Sequence, residues 1–409
     1  MNVKGYSKKR TRNRERNSHS LNTKFSSDLK ELKTQSRLRK LTCIDSPQGA
    51  TVRIKGRSYL NFSSNDYLSL SGNTVIVNAA VRSLRKFGTG SGASRLLSGT
   101  LTPHQRLEER VAQFKKSQSA LLFNSGYAAN TGIIPVIAGD DSILFSDELN
   151  HASIVDGTRL SKAEVKIYKH SDMDHLDALL KKSLWGSVNK RRIVVTDTVF
   201  SMDGDIASLK DIAALCRKYD AALMIDDAHG TGVLGKTGRG ALEHCGIRGK
   251  DIIQMGTFSK AAGSFGAFVA GSADLIRILV NRSRSFIYST ALPPAVAAAN
   301  IEAINIIERR SVRRRRRLWK NREDLYQGLK DLGFNTLSSE TPIIPVLTGD
   351  VHRTNRLANY LFSQYIYAPA IRPPTVPEGG CRIRFTVTAG HNREDIDSLL
   401  NVLKQYRRK

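Results

Sequence analysis

Short apolar runs alternate with helical patterns between about residues 120 and 270, and this alternation constrains the fold more than any other feature of the chain. Each run is followed by a segment with apolar residues at helical spacing, which is typical of β-α-β units. The chain is therefore predicted to be an α/β protein with a large, mostly parallel sheet and helices on both faces. The expected strands are residues 120–123, 142–145, 165–168, 192–200, 222–225, 252–255 and 266–270.

The pattern changes on both sides of this region and divides the chain into four segments. Residues 1–20 are polar, basic and aperiodic, which predicts a disordered tail. A helical pattern and a hairpin-like pair of strands follow in residues 21–60. We expect residues 61–290 to form the large domain, and residues 291–409 to form a linking helix and a smaller α+β domain.

The chain is strongly basic. It carries 64 Lys and Arg against 37 Asp and Glu, a formal net charge of +27. This charge favours an acidic partner, which could be nucleic acid, a phosphorylated cofactor or an acidic carrier protein, although a generally basic proteome would also explain it. Residues 313–317 are five consecutive arginines. Because adjacent residues of a helix cover all of its faces, we expect this run to be exposed, as a solvated surface or an anion-binding one.

Cysteines and apolar runs limit the class of protein. The four cysteines lie far apart and form no Cys-x-x-Cys pair, so neither a zinc site nor a disulfide framework is expected. No apolar run approaches the roughly 18 residues needed to cross a bilayer. We therefore expect a cytoplasmic protein with no metal site and no membrane contact.

Two short polar stretches directly follow predicted strands. Asp226, Asp227 and His229 come after the strand at 222–225, and Lys260 lies shortly after the strand at 252–255. Ligands bind at strand ends in α/β folds. A lysine desolvated there has a lowered pKa and can act as a Schiff-base nucleophile, and a nearby aspartate could hold a pyridinium nitrogen protonated. Taken alone, each stretch could equally be an ordinary strand-end turn.

Two glycine-containing segments are candidates for phosphate binding. In residues 124–130 a strand, a glycine and a helix start follow one another, which is the geometry in which free backbone N–H groups and the helix dipole hold a phosphate. The glycine-rich run at 88–94 could also approach a ligand closely, but a plain loop would look the same. The first segment is therefore the stronger candidate.

Five motifs in order resemble one known family. The motifs are Ser-Gly-Tyr-Ala-Ala-Asn (125–130), Asn-His-Ala-Ser (150–153), Phe-Ser-Met-Asp-Gly-Asp (200–205), Asp-Asp-Ala-His-Gly-Thr-Gly (226–232) and Thr-Phe-Ser-Lys (257–260). With them the chain is similar to the α-oxoamine synthases, pyridoxal-phosphate enzymes with the aspartate-aminotransferase fold, over about residues 37 to 405. This resemblance implies fold type I of the pyridoxal-phosphate-dependent transferases, with the cofactor in the large domain.

The resemblance also implies a role for each matching cofactor residue. Lys260 would carry pyridoxal 5'-phosphate covalently through its amine, and Asp226 would bond the pyridine nitrogen. His229 and Ser201 would reach the phenolic oxygen of the ring. The residues that would hold the phosphate are Gly126, Tyr127 and Thr257.

Four further residues are implied in catalysis or substrate binding. His151 would stack on the cofactor ring and contact the substrate. Arg39, Thr375 and Arg384 match positions that contact substrate, and Arg384 is suited to a bidentate grip on an amino-acid carboxylate. The expected catalytic set is thus Lys260, His151 and Asp226.

Within the family, the chain most resembles the branch that serves biotin biosynthesis. Residues 92–96 and 124–128 favour this branch, which condenses L-alanine with a pimeloyl thioester to give 8-amino-7-oxononanoate, carbon dioxide and the free thiol carrier. Residues 150–157 would also suit the related glycine C-acetyltransferase, a glycine-using enzyme that makes 2-amino-3-oxobutyrate with coenzyme A. A nucleic-acid-binding protein is the alternative of a different class, but no aromatic residues are interleaved with the arginine run.

The resemblance implies two kinds of partner. Ser289 and Thr290 match a stretch that reaches the phosphate in the neighbouring subunit, which implies a homodimer. The basic surface would suit an acidic acyl-carrier protein as the source of the thioester, with the coenzyme A thioester as the alternative.

Overall fold

The computed structural model describes residues 21–186, 190–248 and 251–408, and the expected alternation of strands and helices is present in it. The described strands are β1 Thr51–Ile54, β2 Arg57–Asn61, β3 Ser119–Phe123, β4 Ser142–Asp147, β5 Glu164–Tyr168, β6 Arg191–Asp197, β7 Ala221–Asp226, β8 Ile253–Thr257, β9 Ala267–Gly271, β10 Ile343–Gly349, β11 Ile366–Tyr367, β12 Ala370–Ile371 and β13 Cys381–Thr386.

Helices connect most of these strands. They are α1 Leu21–Thr34, α2 Thr74–Phe87, α3 Thr102–Lys115, α4 Gly126–Ile137, α5 Ala152–Leu160, α6 Met173–Gly186, α7 Leu209–Lys218, α8 Ala241–Cys245, α9 Ala273–Arg282, α10 Arg284–Ile287, α11 Pro294–Arg310, α12 Val312–Asp331, α13 Val351–Ser363 and α14 Arg393–Arg407.

Seven strands form the central sheet, in the order β3-β9-β8-β7-β6-β4-β5. All pairs from β8 to β5 are parallel, and β9 runs antiparallel to both of its neighbours. Every residue of β4, β8 and β9 is buried, as expected for apolar strands covered by helices on both faces. The prediction of an α/β fold with a large, mostly parallel sheet is therefore confirmed.

The two faces of the sheet pack into separate apolar clusters. Leu121 and Phe123 of β3 pack with α4, α9 and α10, whereas Ala120 and Leu122 contribute to the larger cluster on the other face. This alternation follows from the two-residue period of a strand. The larger cluster also contains residues of α2, α3, α7, α11 and α12.

The carboxyl ends of the parallel strands meet at one edge of the sheet and carry acidic residues. Asp147, Asp197 and Asp226 end β4, β6 and β7, and Thr257 ends β8. Asp197 and Asp226 are direct neighbours in the strand register. This is the edge at which ligands bind in parallel sheets, and it places the predicted stretches side by side.

Two smaller sheets and two units complete the fold. β10, β13 and β12 form an antiparallel sheet. β1, β2 and β11 form a mixed sheet, in which β1 is antiparallel and β11 parallel to β2. Residues 43–409 form one unit, and residues up to 42 form another, which contains α1. The domain boundaries expected at residues 60 and 290 stay predictions, and the predicted tail at 1–20 lies outside the described residues.

Within the described ranges, no helix has the length and apolar character needed to span a membrane.

The arginine run begins α12 and is only partly exposed. Arg315 is 5 % exposed, and its Nη1 and Nη2 donate to the carbonyl oxygens of Ile307 at 2.7 Å and Lys236 at 2.9 Å. Arg314 and Arg317 each donate to one further backbone carbonyl. The expectation of a fully exposed run is therefore wrong. Arg315 can be buried because backbone carbonyl oxygens accept the hydrogen bonds of its guanidinium group.

Candidate active site

Asp226 is the buried carboxylate at the end of β7. It is 4 % exposed, and its Oδ2 accepts a hydrogen bond from Asn130 Nδ2 at 2.8 Å. Its Oδ1 accepts the backbone N–H of Ala228 at 2.9 Å. Asn130 lies in α4 and also donates to Ser153 Oγ at 2.9 Å. These contacts hold the carboxylate in one orientation.

Lys260 follows β8 and is half-buried. Burial lowers the pKa of its amine, the charges of Asp226 and Asp197 oppose this effect, and the charge of Arg384 adds to it. A lowered pKa increases the neutral fraction of the amine, which is the nucleophilic form. Both carboxylates that act on the amine lie at the ends of β6 and β7.

Asp197 and His151 form a second pair at this edge. The backbone N–H of His151 donates to Asp197 Oδ2 at 2.6 Å. Burial raises the pKa of Asp197 well above its usual range, and the negative charge of Asp226 adds to this effect. A carboxyl group so placed favours its neutral form, which limits the repulsion between two neighbouring acids.

His151 caps the N-terminus of α5. Its Nδ1 accepts from the backbone N–H of Ser153 at 3.2 Å and lies 2.7 Å from Ser153 Oγ. Desolvation lowers the pKa of His151. The negative charge of Asp226 opposes this effect, and the positive charge of Lys260 adds to it. The imidazole is therefore neutral near pH 7, with Nδ1 as the acceptor and Nε2 carrying the proton.

His229 and Tyr67 form a buried pair. His229 Nδ1 lies 2.7 Å from the Tyr67 hydroxyl. Burial lowers the pKa of His229 well below its usual range, and the charges of Lys260 and Arg384 add to this effect. Burial raises the pKa of Tyr67 to about 12, although Arg384 acts in the opposite direction. Both side chains are thus uncharged at neutral pH.

The N-terminus of α4 is built as the phosphate prediction requires. Ser125 caps it, with Oγ accepting the backbone N–H of Ala128 at 3.1 Å, and Gly126 is its first residue. A Cβ at Gly126 would approach only the Met255 side chain, at 3.7 Å. Tyr127 is 47 % exposed, and its hydroxyl donates to the Asp156 carboxylate.

Thr257 and Ser259 lie together after β8. The Thr257 hydroxyl donates to the carbonyl oxygen of Gly266 at 2.8 Å and lies 2.6 Å from Ser259 Oγ. A threonine hydroxyl has one proton to donate. Because Thr257 uses that proton on Gly266, Ser259 is the donor in the short contact between the two hydroxyl groups.

Arg384 lies in β13 and is 8 % exposed. Nη1 and Nη2 both donate to Asn65 Oδ1 at 3.1 Å, and Nη1 also donates to Thr386 Oγ1 at 3.0 Å. Nε donates to the carbonyl oxygen of Ser201, which ties the predicted Ser201 to the same group. Burial lowers the pKa of Arg384, and Tyr67 opposes this effect. Asn65 therefore orients the guanidinium, and the grip on a substrate carboxylate stays a prediction.

Thr375 and Arg39 are the two remaining predicted substrate residues. Thr375 is exposed in the loop between β12 and β13, and its backbone N–H donates to the carbonyl oxygen of Arg372 at 3.0 Å. Arg39 follows α1 in the unit that ends at residue 42. Their roles stay predictions.

Sequence reasoning missed four residues of this site: Asn130, Asp197, Tyr67 and Asn65. Asp197 carried a usable signal, because it ends an apolar strand just as Asp226 does. The other three reach the site only through long-range packing. Among the residues that the structure describes, no three His, Cys, Asp or Glu side chains are grouped as metal ligands.

Comparison with known proteins gives a consistent family. The aminotransferase class I and II profile matches residues 57–403. An 8-amino-7-oxononanoate synthase of Geotalea daltonii is 47 % identical over 386 residues, covering 94 % of this chain and 98 % of the relative. One of Thermoanaerobacter pseudethanolicus is 45 % identical over 377 residues, covering 92 % and 95 %.

Solved structures agree with this result. A serine palmitoyltransferase solved with pyridoxal phosphate has a TM-score of 0.89 at 29 % identity, covering 95 % of this chain and 98 % of its own. An 8-amino-7-oxononanoate synthase of Francisella tularensis has a TM-score of 0.74 at 28 % identity, covering 86 % and 98 %.

Proposed function

The chain belongs to the class I and II aminotransferase family, and we propose that it condenses L-alanine with a pimeloyl thioester to give 8-amino-7-oxononanoate, carbon dioxide and the free thiol. The observation that carries this function is the identity of 45–47 % to relatives of that name along almost the whole chain. The chain has the fold of pyridoxal-phosphate-dependent transferases and is an acyltransferase of this type.

The site fits pyridoxal phosphate, the cofactor of this family. A half-buried amine with a lowered pKa, that of Lys260, faces the buried Asp226 carboxylate. The free N-terminus of α4 lies after β3, at the same edge of the sheet. When bound, the cofactor supplies an electron sink that weakens the bonds at the Cα atom of an amino acid.

In this proposal the cofactor would be held by residues at the ends of five strands, β3, β4, β6, β7 and β8. Lys260 would bind it covalently, Asp226 would keep the pyridine nitrogen protonated, and His229 and Ser201 would contact the phenolic oxygen. His151 would stack on the ring from the start of α5. The residues that would bind the phosphate are Gly126, Tyr127 and Thr257.

Lys260 also moves the protons in this proposal. The amine of Lys260 would remove the Cα proton of alanine and would later return a proton to the same carbon. A lowered pKa suits both steps, because a general base works best with a pKa near the working pH. Arg384 binds the carboxylate that leaves as carbon dioxide, and Thr375 and Arg39 contact the substrate.

Two related reactions compete with this one. The serine palmitoyltransferase structures give the higher TM-scores, but their identity to this chain is 29–30 %, against 45–47 % for the synthases of Geotalea daltonii and Thermoanaerobacter pseudethanolicus. The glycine C-acetyltransferase reaction is the other candidate, because residues 150–157 would suit it. Both use the same site chemistry, so amino-acid and acyl specificity must be measured.

The deciding experiment offers each amino acid with each thioester. Purified holoenzyme is incubated with alanine, glycine or serine and with pimeloyl-, acetyl- or palmitoyl-coenzyme A, and product mass and carbon dioxide are measured. We expect 8-amino-7-oxononanoate from alanine and the pimeloyl thioester at the highest kcat/KM. Turnover of glycine with acetyl-coenzyme A, and none with alanine, would reject the assignment. Salt-sensitive binding to DNA by a protein without any of these activities would support the nucleic-acid alternative.

We also propose an acidic acyl-carrier protein as the donor of the pimeloyl group. The formal charge of +27 supports it, because a basic surface attracts an acidic partner. Raising the salt concentration should then raise the KM for the carrier-bound thioester more than the KM for the coenzyme A thioester. Equal salt dependence for both would exclude the proposed carrier recognition.

A homodimer in the cytoplasm completes the proposal. α2 leaves the apolar side chains of Val77, Val81 and Leu84 exposed, which suits a subunit interface. Ser289 and Thr290 would reach the phosphate in the partner subunit.

The proposed location is the cytoplasm. All four cysteines are free thiols, as in a reducing compartment, and cell fractionation tests the location.

A further inference from the structure

The second aspartate of the strand-end pair makes a buried ion pair that none of the steps above uses. Asp227 Oδ2 lies 2.7 Å from Lys115 Nζ, and the two side chains are 1 % and 0 % exposed. Lys115 is the last residue of α3, and Asp227 follows the last residue of β7. A helix on one face of the sheet is thus linked to the edge that carries the site.

Lys115 uses all of its donors inside the protein. Its Nζ donates to Asp227 Oδ2, to Thr231 Oγ1 at 2.9 Å and to the carbonyl oxygen of Arg239 at 2.6 Å. An ammonium group has three N–H donors, so none is left for solvent or substrate. The lysine therefore joins both ends of the loop between β7 and α8.

Asp227 holds the same loop from the other side. Its Oδ1 accepts from Thr198 Oγ1 at 2.9 Å and from the backbone N–H of Ala241 at 3.1 Å. A Cβ at Gly230 or Gly240 would lie 2.1 or 1.7 Å from a carboxylate oxygen of Asp227. The backbone therefore packs directly on this carboxylate at both positions.

The segment held in this way carries two cofactor residues. The backbone N–H of Asp227 donates to the carbonyl oxygen of Met255 at 2.8 Å, and the N–H of Thr231 donates to the carbonyl oxygen of Asp227 at 2.8 Å. His229 lies within the turn so formed, and Asp226 lies directly before it. The position of Asp227 therefore sets the directions in which Asp226 and His229 project.

Stability alone is a weak reason for a buried ion pair, because desolvation of both charges offsets much of their attraction and apolar residues of similar size often stabilise as well. We infer that Lys115 and Asp227 are positioning residues, which fix Asp226 and His229 against the cofactor ring. This inference rests on the proposed function, because it assigns the facing group as pyridoxal phosphate.

The test uses Lys115→Met, Asp227→Asn and the double variant. Arg110→Met is the matched control, since Arg110 lies on the same helix and pairs with Glu308 and Asn305 away from the site. Four quantities are measured for each: the Tm of the apoprotein, the cofactor Kd, the visible circular dichroism of the bound cofactor, and kcat with KM for alanine.

For both single variants we expect a cofactor Kd raised about tenfold, a kcat lowered about 100-fold and an altered circular dichroism band. Displacement of catalytic groups by about 1 Å has effects of this size. The KM for alanine should change little. Arg110→Met should lower only the Tm. The double variant leaves no unpaired buried charge, so its Tm should recover while kcat and the circular dichroism stay altered.

Two results would overturn the inference. One is a Lys115→Met protein that loses Tm as the control does but keeps cofactor Kd, circular dichroism and kcat. The other is a double variant in which all four quantities recover together, which would make the pair purely structural. Failure of the proposed function is distinguishable, because unmodified protein would then not turn over alanine, while the cofactor Kd and circular dichroism would still report the effect of the ion pair.

Discussion

Lys260 and its surroundings show how burial prepares one residue for its task. Burial lowers the pKa of the amine, while the carboxylates of Asp226 and Asp197 limit that effect. The nearby imidazoles of His151 and His229 also have lowered pKa values, so neither adds a full positive charge at neutral pH. Burial therefore favours the neutral, reactive form of the amine, and the neighbouring carboxylates only partly oppose it.

Lys260→Ala should remove covalent cofactor binding and turnover together. We expect no mass increase after borohydride reduction of protein incubated with pyridoxal phosphate, and a kcat lowered by more than about 1,000-fold, because nucleophile and base are lost at once. Mass spectrometry and the alanine assay measure the two effects. Lys236→Ala, at an exposed lysine, is the control and should retain both properties. Turnover by Lys260→Ala close to that of the control would refute the assignment.

At the scale of elements, side chains join loops that the strands place next to one another. His170, after β5, bridges Asp147 at the end of β4 and Asp205 after Ser201. Its Nδ1 lies 3.0 Å from Asp147 Oδ1 and its Nε2 lies 2.9 Å from Asp205 Oδ2. Burial acts to lower the pKa of His170, but hydrogen bonds to the two carboxylates outweigh it and raise the pKa to about 10.

This bridge should make stability depend on pH in the alkaline range. The pKa of His170 is about 10 when folded and about 6.5 when unfolded. The contribution of protonated His170 to the free energy of unfolding is therefore complete below about pH 6.5 and is lost as the pH rises through about 10. His170→Asn should lower the free energy of unfolding by about 2 kcal/mol at pH 6.5, and by much less at pH 10.

Urea unfolding of both proteins from pH 6 to 10 measures this difference. His352→Asn is the control, since His352 is exposed and should show no such pH-dependent difference from the unmodified protein. A difference that grows as the pH rises would contradict the assigned direction of the pKa.

α12 offers a second test at this scale. Arg315→Met should lower the free energy of unfolding by about 2 kcal/mol, because two buried carbonyl oxygens lose their donors. Arg316→Met, at the exposed neighbouring position, should change it by less than about 0.5 kcal/mol. Chemical denaturation of both variants gives the comparison, and equal effects would mean that burial within the run is irrelevant.

The elements themselves were largely predictable. Each strand of the central sheet overlaps its predicted run, because apolar runs bounded by polar turns carry a strong local signal. The prediction that the arginine run is fully exposed was wrong because it rested on the charge of the run alone. Buried backbone carbonyl oxygens can accept from an arginine, and their positions depend on how α11 and the loop near Lys236 pack.

For the whole molecule, the expected dimer depends on the exposed face of α2. Val77, Val81 and Leu84 are 44, 37 and 39 % exposed, although Ile76 and Ala79 of the same helix are buried. Val81→Asp should shift the protein from dimer to monomer in light scattering and lower kcat, since a charge at the centre of an apolar interface is costly.

The control for this prediction is Val312→Asp. Val312 is 52 % exposed at the start of α12, so a charge there should leave both the mass and kcat unchanged. An unmodified protein that is monomeric and fully active would contradict the dimer, and with it the role of Ser289 and Thr290 in the partner subunit.

The chain alone was sufficient for the fold class, the strand-end placement of Asp226 and Lys260, and the family, because these depend on residue type, period and order along the sequence. Tertiary structure was needed to bring Asn130 and Asp197 to Asp226, Tyr67 to His229, and Lys115 to Asp227. Each of these pairs is separated by 29 to 162 residues and meets only in the folded chain, through the pairing of strands or through packing against the sheet. Local sequence carries no record of such contacts, since they arise from how buried polar groups find partners across the assembled core.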